Sequence, residues 1–306
     1  MTLSHGDELL AIDVGGTRIK VGRVGRDGHP TYSRVFPTPG PGEQPDTLAS
    51  LCRILRDEVS ARPAAAVGVV VPGWIDEEQG VVCRAVNLGW YDLPLRDILA
   101  REVSTPMALG HDVRAGGLAE ARLGAARDVA SSVFIAVGTG IGSAIMDHQR
   151  SWAGATHNAG EVGHLVVVPG GDRCACGQLG CLETVASAAA ISRRYARAAR
   201  SPAVDAAVVI ERAGQCDEHA KRVWREAVDA LAEAIVTVHT LLDPAVFVIG
   251  GGLSRAGDAL LEPLRDACRR SARSRTPEIR AGDFADSAGW RGAALMAADL
   301  VEWSFP

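Results

Sequence analysis

The sequence predicts an α/β fold composed of two related domains around a central cleft. Short apolar runs that are typical of buried strands alternate with longer helical stretches, as expected when helices pack on a largely parallel sheet. A strand, a glycine-rich turn and a second strand occur twice, near residues 9–24 and again near residues 132–147. This repetition predicts two similar halves that each carry one such turn.

The elements of the first half follow from apolar runs and from the residues that interrupt them. Pro72-Gly73 ends a short strand, and a loop rich in proline and glycine at residues 37–45 precedes the first helix. The predicted strands are residues 9–14, 19–24, 66–71 and 107–110, and the predicted helices are residues 46–60, 93–103 and 113–123.

The second half contains a further hairpin, several long helices and one more buried strand. We place the domain boundary near His111, which predicts a small domain of residues 1–111 with 291–306 and a larger domain of residues 112–290. The predicted strands are residues 132–137, 143–147 and 246–249, and the predicted helices are residues 187–200, 216–242 and 292–301.

Composition excludes several classes of protein. The 306 residues carry a net charge of −5, with 47% hydrophobic and 23% charged residues, so the chain is globular and offers no electrostatic support for a nucleic-acid partner. The densest basic stretch (Arg269, Arg270, Arg273 and Arg275) is typical of a solvated helix face. No apolar run reaches the roughly 20 residues that cross a bilayer, and the first ten residues do not resemble a signal peptide. We therefore expect a cytoplasmic protein without a membrane partner.

The first glycine turn can bind an anion. Asp13 ends the first strand and Gly15, Gly16 and Thr17 form the turn, while Lys20 follows in the next strand. Glycines allow backbone N–H groups to approach a phosphate, and a carboxylate can hold Mg²⁺ through water. The spacing matches neither a P-loop nor a dinucleotide-binding fingerprint. A plain hairpin turn remains the alternative.

Two further glycine stretches suggest the remainder of a nucleotide site. Gly138, Thr139 and Gly140 lie in a second turn of the first kind, which predicts another phosphate contact. Gly251 and Gly252 follow a buried strand directly, where an open α/β sheet binds ligands and where glycines leave a flat floor for a planar base. A helix-entry turn is the alternative explanation for this last stretch.

Three of the seven cysteines form a cluster that predicts a structural zinc site. Cys174, Cys176 and Cys181 have C-x-C-x4-C spacing, and His164, ten residues upstream, is the nearest imidazole. Zinc favours four tetrahedral ligands, and a closed Cys3His set leaves no position for a catalytic water. The alternatives are unligated reduced thiols and a redox motif, but the C-x-x-C spacing of the latter is missing.

Three acids are candidates for binding and chemistry. Glu161 and Glu183 flank the cysteine cluster, so a metal would fix the direction of two carboxylates that can accept hydrogen bonds from sugar hydroxyls. Asp112 follows a strand and begins a helix, which makes it a candidate general base for phosphoryl transfer to an alcohol. The alternative is that Asp112 only caps its helix.

These motifs resemble the ROK family (repressors, uncharacterised reading frames and sugar kinases) within the actin-like ATPase superfamily, which has ribonuclease H-like domains. The resemblance runs from Leu9 to about Ala294. It covers both glycine turns, the stretch Val248–Ser254, the sequence Gly-Glu-Val-Gly-His at 160–164, and a complete C-x-C-G-x-x-G-C-x-E motif from Cys174 to Glu183.

The resemblance implies a hexose and ATP-Mg²⁺ as ligands. It implies that Asp112 takes the proton from the attacked hydroxyl and that His164 serves both zinc and sugar. The residues that it implies on the sugar side are Gly73, Asn87, His111, Asp112, Glu161, His164 and Glu183.

One departure from the family pattern leaves the preferred sugar open. The family usually has asparagine before the catalytic aspartate, where this chain has His111, and Arg114 stands where a smaller residue is common. Histidine is bulkier than asparagine and can become charged near neutral pH.

The resulting prediction is an ATP-dependent hexose kinase, with glucose as the first choice and a homodimer as the expected assembly. An N-acetylhexosamine kinase and a sugar-sensing regulator without catalysis remain alternatives. Polyphosphate remains open as a phosphoryl donor. A DNA-binding repressor is disfavoured because the first core strand begins at Leu9.

Overall fold

A computed structural model describes residues 6–40, 46–272 and 275–305 of the chain. The strands are β1 Glu8–Val14, β2 Arg18–Gly25, β3 Pro30–Pro37, β4 Ala66–Val71, β5 Trp74–Asp76, β6 Val81–Ala85, β7 Trp90–Leu93, β8 Met107–His111, β9 Ser131–Val137, β10 Ile141–Asp147, β11 Arg150–Ser151, β12 Val246–Gly250 and β13 Ile279–Ala281. The α-helices are α1 Thr47–Ala61, α2 Leu95–Ala100, α3 Asp112–Arg122, α4 Glu183–Ala186, α5 Ala188–Ala199, α6 Ala206–Gly214, α7 Glu218–Leu242, α8 Asp258–Ser271 and α9 Ala288–Leu300.

The chain divides into two compact units. Unit 1 comprises Met1–Ala119, Ala153–Asn158 and Ser287–Pro306, and unit 2 comprises Glu120–Trp152 and Ala159–Asp286. The first break thus follows Ala119 rather than His111, because most of α3 stays with the strand that precedes it. Residues 153–158 and 287–290, which the sequence assigned to the larger domain, also belong to unit 1.

Unit 1 is built on a five-stranded sheet in the order β3-β2-β1-β4-β8. The first three strands are antiparallel, whereas β1, β4 and β8 are parallel. Every residue of β4 (sequence AVGVVV) is buried, as expected for a central parallel strand covered on both faces. A second sheet, β5-β6-β7, is a small antiparallel meander.

Helix α9 packs on this sheet through small residues. A Cβ atom at Gly68 in β4 would lie 1.9 Å from the Ala293 carbonyl oxygen, so only glycine allows the helix this close. Ala293, Ala294, Ala297 and Ala298 are all buried against the sheet. The last stretch of sequence is therefore part of the core of unit 1.

Unit 2 repeats the same sheet order with different helices. Its strands follow the order β11-β10-β9-β12-β13, in which an antiparallel hairpin is joined to a parallel strand as in unit 1. Its core contains Val133, Ile135, Phe247 and Ile249 from the sheet together with the inner face of α7. The α/β class and the predicted repetition of the glycine hairpin are both confirmed.

Some elements differ from the sequence prediction. The helix predicted at residues 93–103 is shorter, Leu95–Ala100, because Pro94 interrupts the backbone hydrogen bonding and β7 comes before it. Helix α8 was not predicted, since Pro263 lies inside it. Arg269 and Arg270 are in its last turn and face solvent as expected, whereas Arg273 lies outside the described residues.

The long helix α7 starts at Glu218, two residues later than predicted. The Asp217 carboxylate accepts hydrogen bonds from the N–H groups of His219 and Ala220, and so caps the helix. Among the described residues, none of the helices combines the length and the apolar character needed to cross a membrane.

Candidate active site and metal centre

The first glycine turn in unit 1 connects β1 to β2 and is held by its own backbone. The Gly15 N–H donates to the Arg18 carbonyl at 2.9 Å, and Thr38 Oγ1 donates to the Gly15 carbonyl at 2.6 Å. A Cβ atom at Gly15 would lie 3.0 Å from the Arg18 oxygen. Neither Gly15 nor Gly16 has a positive φ, so the glycine at position 15 is explained by close approach and not by a left-handed backbone.

Asp13 lies at the carboxyl end of β1, between a lysine and a helix N-terminus. Lys20 Nζ is 3.4 Å from Asp13 Oδ2. A Cβ atom at Gly289 would come within 2.8 Å of the same oxygen, so the first turn of α9 backs onto the carboxylate. Helix N-termini stabilise anions, so this position suits a carboxylate that could hold a hydrated cation.

Two of the predicted sugar residues are in loops of unit 1. Asn87 is exposed in a 3₁₀ turn at Val86–Leu88. Its Cβ lies 3.7 Å from the position that a Cβ on Gly16 would take, so Asn87 is next to the first glycine turn. Gly73 has a φ of +110°, and a side chain there would strike the Arg84 carbonyl oxygen. Gly73 thus has a structural reason to be glycine whether or not it contacts a sugar.

Asp112 is the first residue of α3, directly after β8. Its Oδ1 accepts the Val113 N–H at 2.8 Å, and its side chain remains 26% exposed. Burial raises the pKa of the Asp112 carboxyl, and the nearby charges of Lys20 and Arg114 partly oppose that shift. Asp112 therefore does contribute to the helix start, but its carboxylate also remains accessible beside a cation.

His111, the departure from the family pattern, acts as the cap of α3. Its Nδ1 accepts the Arg114 N–H at 3.3 Å. Burial, reinforced by the Arg114 charge, lowers the pKa of His111 to about 3. The expectation that this histidine can become charged near neutral pH is therefore wrong for the folded chain.

The sequence analysis missed Glu77, which lies beside both His111 and Arg114. Its Oε1 accepts the His111 N–H at 3.0 Å and the Arg114 Nε–H at 2.9 Å. Within the sequence, Glu77 is one of three consecutive acids in a loop, which is a pattern typical of a solvated turn. No local signal distinguishes it from Glu78.

The second glycine turn, in unit 2, is held by Glu183. The Glu183 Oε2 accepts the Ile141 N–H at 2.9 Å, directly after Gly140. A Cβ atom at Gly140 would lie 2.5 Å from that carboxylate oxygen, so glycine is required for the approach. Gly138 and Thr139 complete the turn, and the Gly138 carbonyl accepts the Ala188 N–H at the start of α5.

Glu161 follows a backbone segment that is fixed to β10. The Ser143 N–H and Oγ both donate to the Gly160 carbonyl, at 2.9 Å and 2.8 Å. His164 Nε2 is 3.8 Å from Glu161 Oε2, and both side chains are about one third exposed. Two of the predicted sugar ligands in this unit are thus adjacent.

The four predicted zinc ligands form one cluster. The ligand atoms of His164, Cys174, Cys176 and Cys181 all lie within 4.8 Å of one another. Cys176 Sγ is 3.6 Å from Cys181 Sγ, and Cys174 Sγ is 3.6 Å from His164 Nδ1. A tetrahedron with Zn–S bonds of about 2.3 Å has edges of about 3.7 Å, so the donor set fits a zinc ion.

The predicted adenosine segment follows β12. Gly251 has a φ of +79°, and its carbonyl accepts the Ser254 hydroxyl at 2.8 Å. A Cβ atom at Gly252 would meet nothing within 4 Å among the described residues, so the backbone there is open to a ligand.

A cavity of about 640 Å³ in unit 2 adjoins both the second turn and the metal cluster. Its lining includes Thr139, Glu183 and Cys174. This volume falls within the range of small-molecule sites.

Comparisons with known proteins agree on one family. The sequence pattern described as "ROK family" matches residues 9–300. A glucokinase from Thermotoga maritima is 33% identical over 96% of this chain and 98% of its own. An N-acetylmannosamine kinase from Shigella boydii is 30% identical over 94% of this chain and 97% of its own.

The structural comparison gives the same result. The crystal structure of a ROK family glucokinase from Streptomyces griseus, in complex with glucose and AMPPNP, superimposes with a TM-score of 0.85. It is 28% identical, and the match covers 95% of this chain and 99% of the glucokinase.

Proposed function

Because this chain belongs to the ROK family, we propose that it is an ATP-dependent kinase that phosphorylates the 6-hydroxyl of an aldohexose, with glucose as the preferred substrate. Glucokinases that match nearly the whole chain support this activity. The observation that carries the assignment of the base is Asp112, an accessible carboxylate at the end of a parallel strand with a cation nearby.

The nucleotide is assigned to the glycine segments. Gly15, Gly16 and Thr17 with Lys20, together with Gly138, Thr139 and Gly140, are proposed to bind the phosphates, and Gly251 and Gly252 the adenosine. Asp13 would hold a hydrated Mg²⁺ ion, which neutralises charge on the transferred phosphoryl group when it is bound. The position of Asp13 next to Lys20 and α9 supports that role.

The sugar is assigned to side chains that can accept or donate hydrogen bonds. Glu161, His164 and Glu183 would accept hydrogen bonds from hydroxyl groups, and Asn87 and His111 would add further contacts. Asp112 would accept the proton of the attacked hydroxyl. Its raised pKa makes Asp112 a better general base than an ordinary aspartate, because base strength increases with pKa.

Zinc is assigned a structural role. His164 Nδ1 faces the cysteines while Nε2 faces Glu161, so one imidazole would connect the metal to the sugar ligands. The Cys3His donor set is complete, which leaves no position for a metal-bound nucleophile.

A second candidate is an N-acetylmannosamine kinase. It is favoured by the 30% identity to an enzyme of that name and by His111, which replaces the usual asparagine of the sugar site. A regulator without catalysis would have little use for Asp112 and both phosphate turns.

The test measures ADP release with a panel of hexoses and N-acetylhexosamines, using ATP or polyphosphate as donor. We expect the highest kcat/KM with glucose and ATP. Asp112→Asn should lower kcat by at least about 100-fold, because general base catalysis contributes about 10²–10⁴. Near-normal turnover in this variant would remove the base assignment, and higher activity with an N-acetylhexosamine would favour the second candidate.

A further inference from the structure

Unit 1 contains a buried arginine whose contacts surround the start of α3. The Arg114 side chain is only 4% exposed, and its Nε donates to Glu77 Oε1 at 2.9 Å. Its terminal nitrogens donate to the backbone carbonyls of His157 at 3.1 Å and Ile75 at 3.2 Å. Because a guanidinium carries its donors in a rigid plane, this one side chain attaches α3 to two other segments of the chain, residues 75–77 and His157.

Glu77 extends the same network to the residue before the proposed base. The Oε1 atom that binds Arg114 also accepts the backbone N–H of His111 at 3.0 Å. The end of β8 and the first turn of α3 are therefore attached to one carboxylate oxygen. Small movements of the pair would displace His111 and Asp112 together.

The hydrogen bonds of this network determine the tautomer of His111. A backbone N–H can only donate, so the bond from Arg114 N–H requires Nδ1 to be an acceptor and places the ring hydrogen on Nε2. Burial also keeps the ring neutral, because the pKa of His111 is lowered to about 3. Near neutral pH the ring is therefore a single chemical species.

The Nε2–H group of His111 makes no hydrogen bond to any described residue. The described side-chain atoms that are fully buried without a partner are on Glu8, Arg23 and His239, so His111 Nε2 is not fully buried, although only 9% of the side chain is exposed. One oriented N–H donor is thus presented next to Asp112.

We propose that Arg114 and Glu77 are positioning residues that hold His111 as a donor-only imidazole, so that the sugar group bound by His111 must accept a hydrogen bond. This inference rests on the proposed function, because it takes the sugar to lie at Asp112. A hydroxyl oxygen satisfies the requirement, whereas an ammonium group, which only donates, does not. An asparagine at this position would offer both a donor and an acceptor.

The tautomer can be measured without any enzymatic activity. Ring ¹⁵N shifts of the full-length protein, assigned by the loss of signals in His111→Asn, should show hydrogen on Nε2 and no titration from about pH 5.5 to 8.5. Hydrogen on Nδ1, or a midpoint near the ordinary value of 6.5, would overturn the proposal.

The positioning role is tested by Arg114→Lys, which keeps the charge but loses the planar fork. The matched control is Arg23→Lys, because Arg23 is also buried in unit 1 and also binds carboxylates together with backbone carbonyls. Both variants should lose stability. Only Arg114→Lys should raise the KM for sugar, by about tenfold, the effect of one hydrogen bond worth about 1.4 kcal/mol, with the KM for ATP unchanged. Equal effects of the two variants on the sugar KM would refute the role.

The donor-only property is tested with 3-amino-3-deoxyglucose and 4-amino-4-deoxyglucose. At least one should lose tenfold or more in kcat/KM relative to glucose, and the loss should be smaller in His111→Asn, whose carbonyl can accept from an ammonium. The same loss in both proteins would contradict the specificity claim. If the wild type phosphorylates no sugar, the proposed function and this specificity fail together, while the ¹⁵N measurement still decides the tautomer.

Discussion

The pKa values of two neighbouring residues at the start of one helix, His111 and Asp112, are shifted in opposite directions. Burial disfavours the charged form of each, so it lowers the pKa of the imidazole and raises the pKa of the carboxyl. Both shifts keep the pair closer to neutral than the same residues in water. Burial costs less free energy for the protonated Asp112 carboxyl than for its carboxylate, which is why the pKa is raised. The raised pKa also makes the carboxylate a stronger base.

The first residue-scale prediction concerns the stability cost of Asp112. A carboxyl whose pKa is raised on folding stabilises the protein below its unfolded pKa, and this contribution is lost as pH rises through the folded pKa. Asp112→Asn should therefore raise the melting temperature at pH 7 while it lowers kcat by at least about 100-fold. The melting temperature is measured by calorimetry. A lower value would contradict this account, provided that Val113 is still helical in the variant.

The second residue-scale prediction is that His111 makes the folded protein less stable as the pH decreases. The unfolded chain binds a proton near pH 6.5, whereas the folded chain binds it only near pH 3. The unfolded state therefore holds more protons between these values, and stability falls as pH decreases, by about 1.4 kcal/mol per pH unit from this residue. Urea unfolding from pH 7 to 5 should show a total loss of about 2 kcal/mol, because the full slope is reached only about one pH unit below 6.5, and His111→Asn should remove this contribution.

At the scale of elements, one buried carboxylate, that of Glu120, stabilises two loops. Glu120, near the end of α3, is 1% exposed and accepts the N–H groups of Ala125, Asp283 and Phe284 at 3.0–3.1 Å. Burial raises the pKa of Glu120, while these three donors oppose the shift. One side chain thus fixes two loops of unit 2 to the end of a helix.

Removal of this carboxylate should be costly. Glu120→Ala leaves three partly buried N–H donors without their acceptor. Each buried group without a partner costs about 1–3 kcal/mol, and water can satisfy these donors in part, so we expect a loss of about 2 kcal/mol or more in the free energy of unfolding. Glu226→Ala is the control, because Glu226 forms an exposed ion pair with Arg194 and should cost less than about 1 kcal/mol. Equal losses in chemical denaturation would show that Glu120 is not a structural anchor.

At the scale of the whole molecule, the two units have separate cores. The core of unit 2 includes Leu182 and residues of the helices that follow the cysteine cluster. The core of unit 1 is formed by β1, β4 and α9. Damage to the metal cluster should therefore remain within unit 2. The homodimer stays a prediction at this scale.

Metal removal tests this separation. After chelation, amide hydrogen exchange should increase in residues 160–199 and change little in β1, β2 and β4, because the cluster stabilises only its own unit. Cys176→Ser should reproduce the effect with loss of bound zinc. Cys216→Ser is the matched control, since Cys216 is also an exposed cysteine of unit 2 but lies outside the cluster. A stable, active and zinc-free wild type would refute a structural metal.

The sequence by itself determined the fold class, the repeated glycine hairpin and the position of Asp112. It also identified the four residues that form the candidate metal cluster. These features depend on local spacing: apolar runs set the strands, and the short C-x-C-x4-C segment keeps three thiols together whatever surrounds it. Gly15 and Gly140 were likewise evident as turn residues, although the constraint on them is close approach to a carbonyl and to a carboxylate, respectively.

Only the tertiary structure decided the protonation of His111 and the roles of Glu77, Glu120 and Arg114. Several of their partners are distant along the chain: 34 residues separate Glu77 from His111, and 164 residues separate Glu120 from Phe284. A pKa depends on burial and on neighbouring charges, and both arise only when distant segments pack together. For the same reason, the sequence identifies the residues of this site, whereas their chemical state is set by the fold.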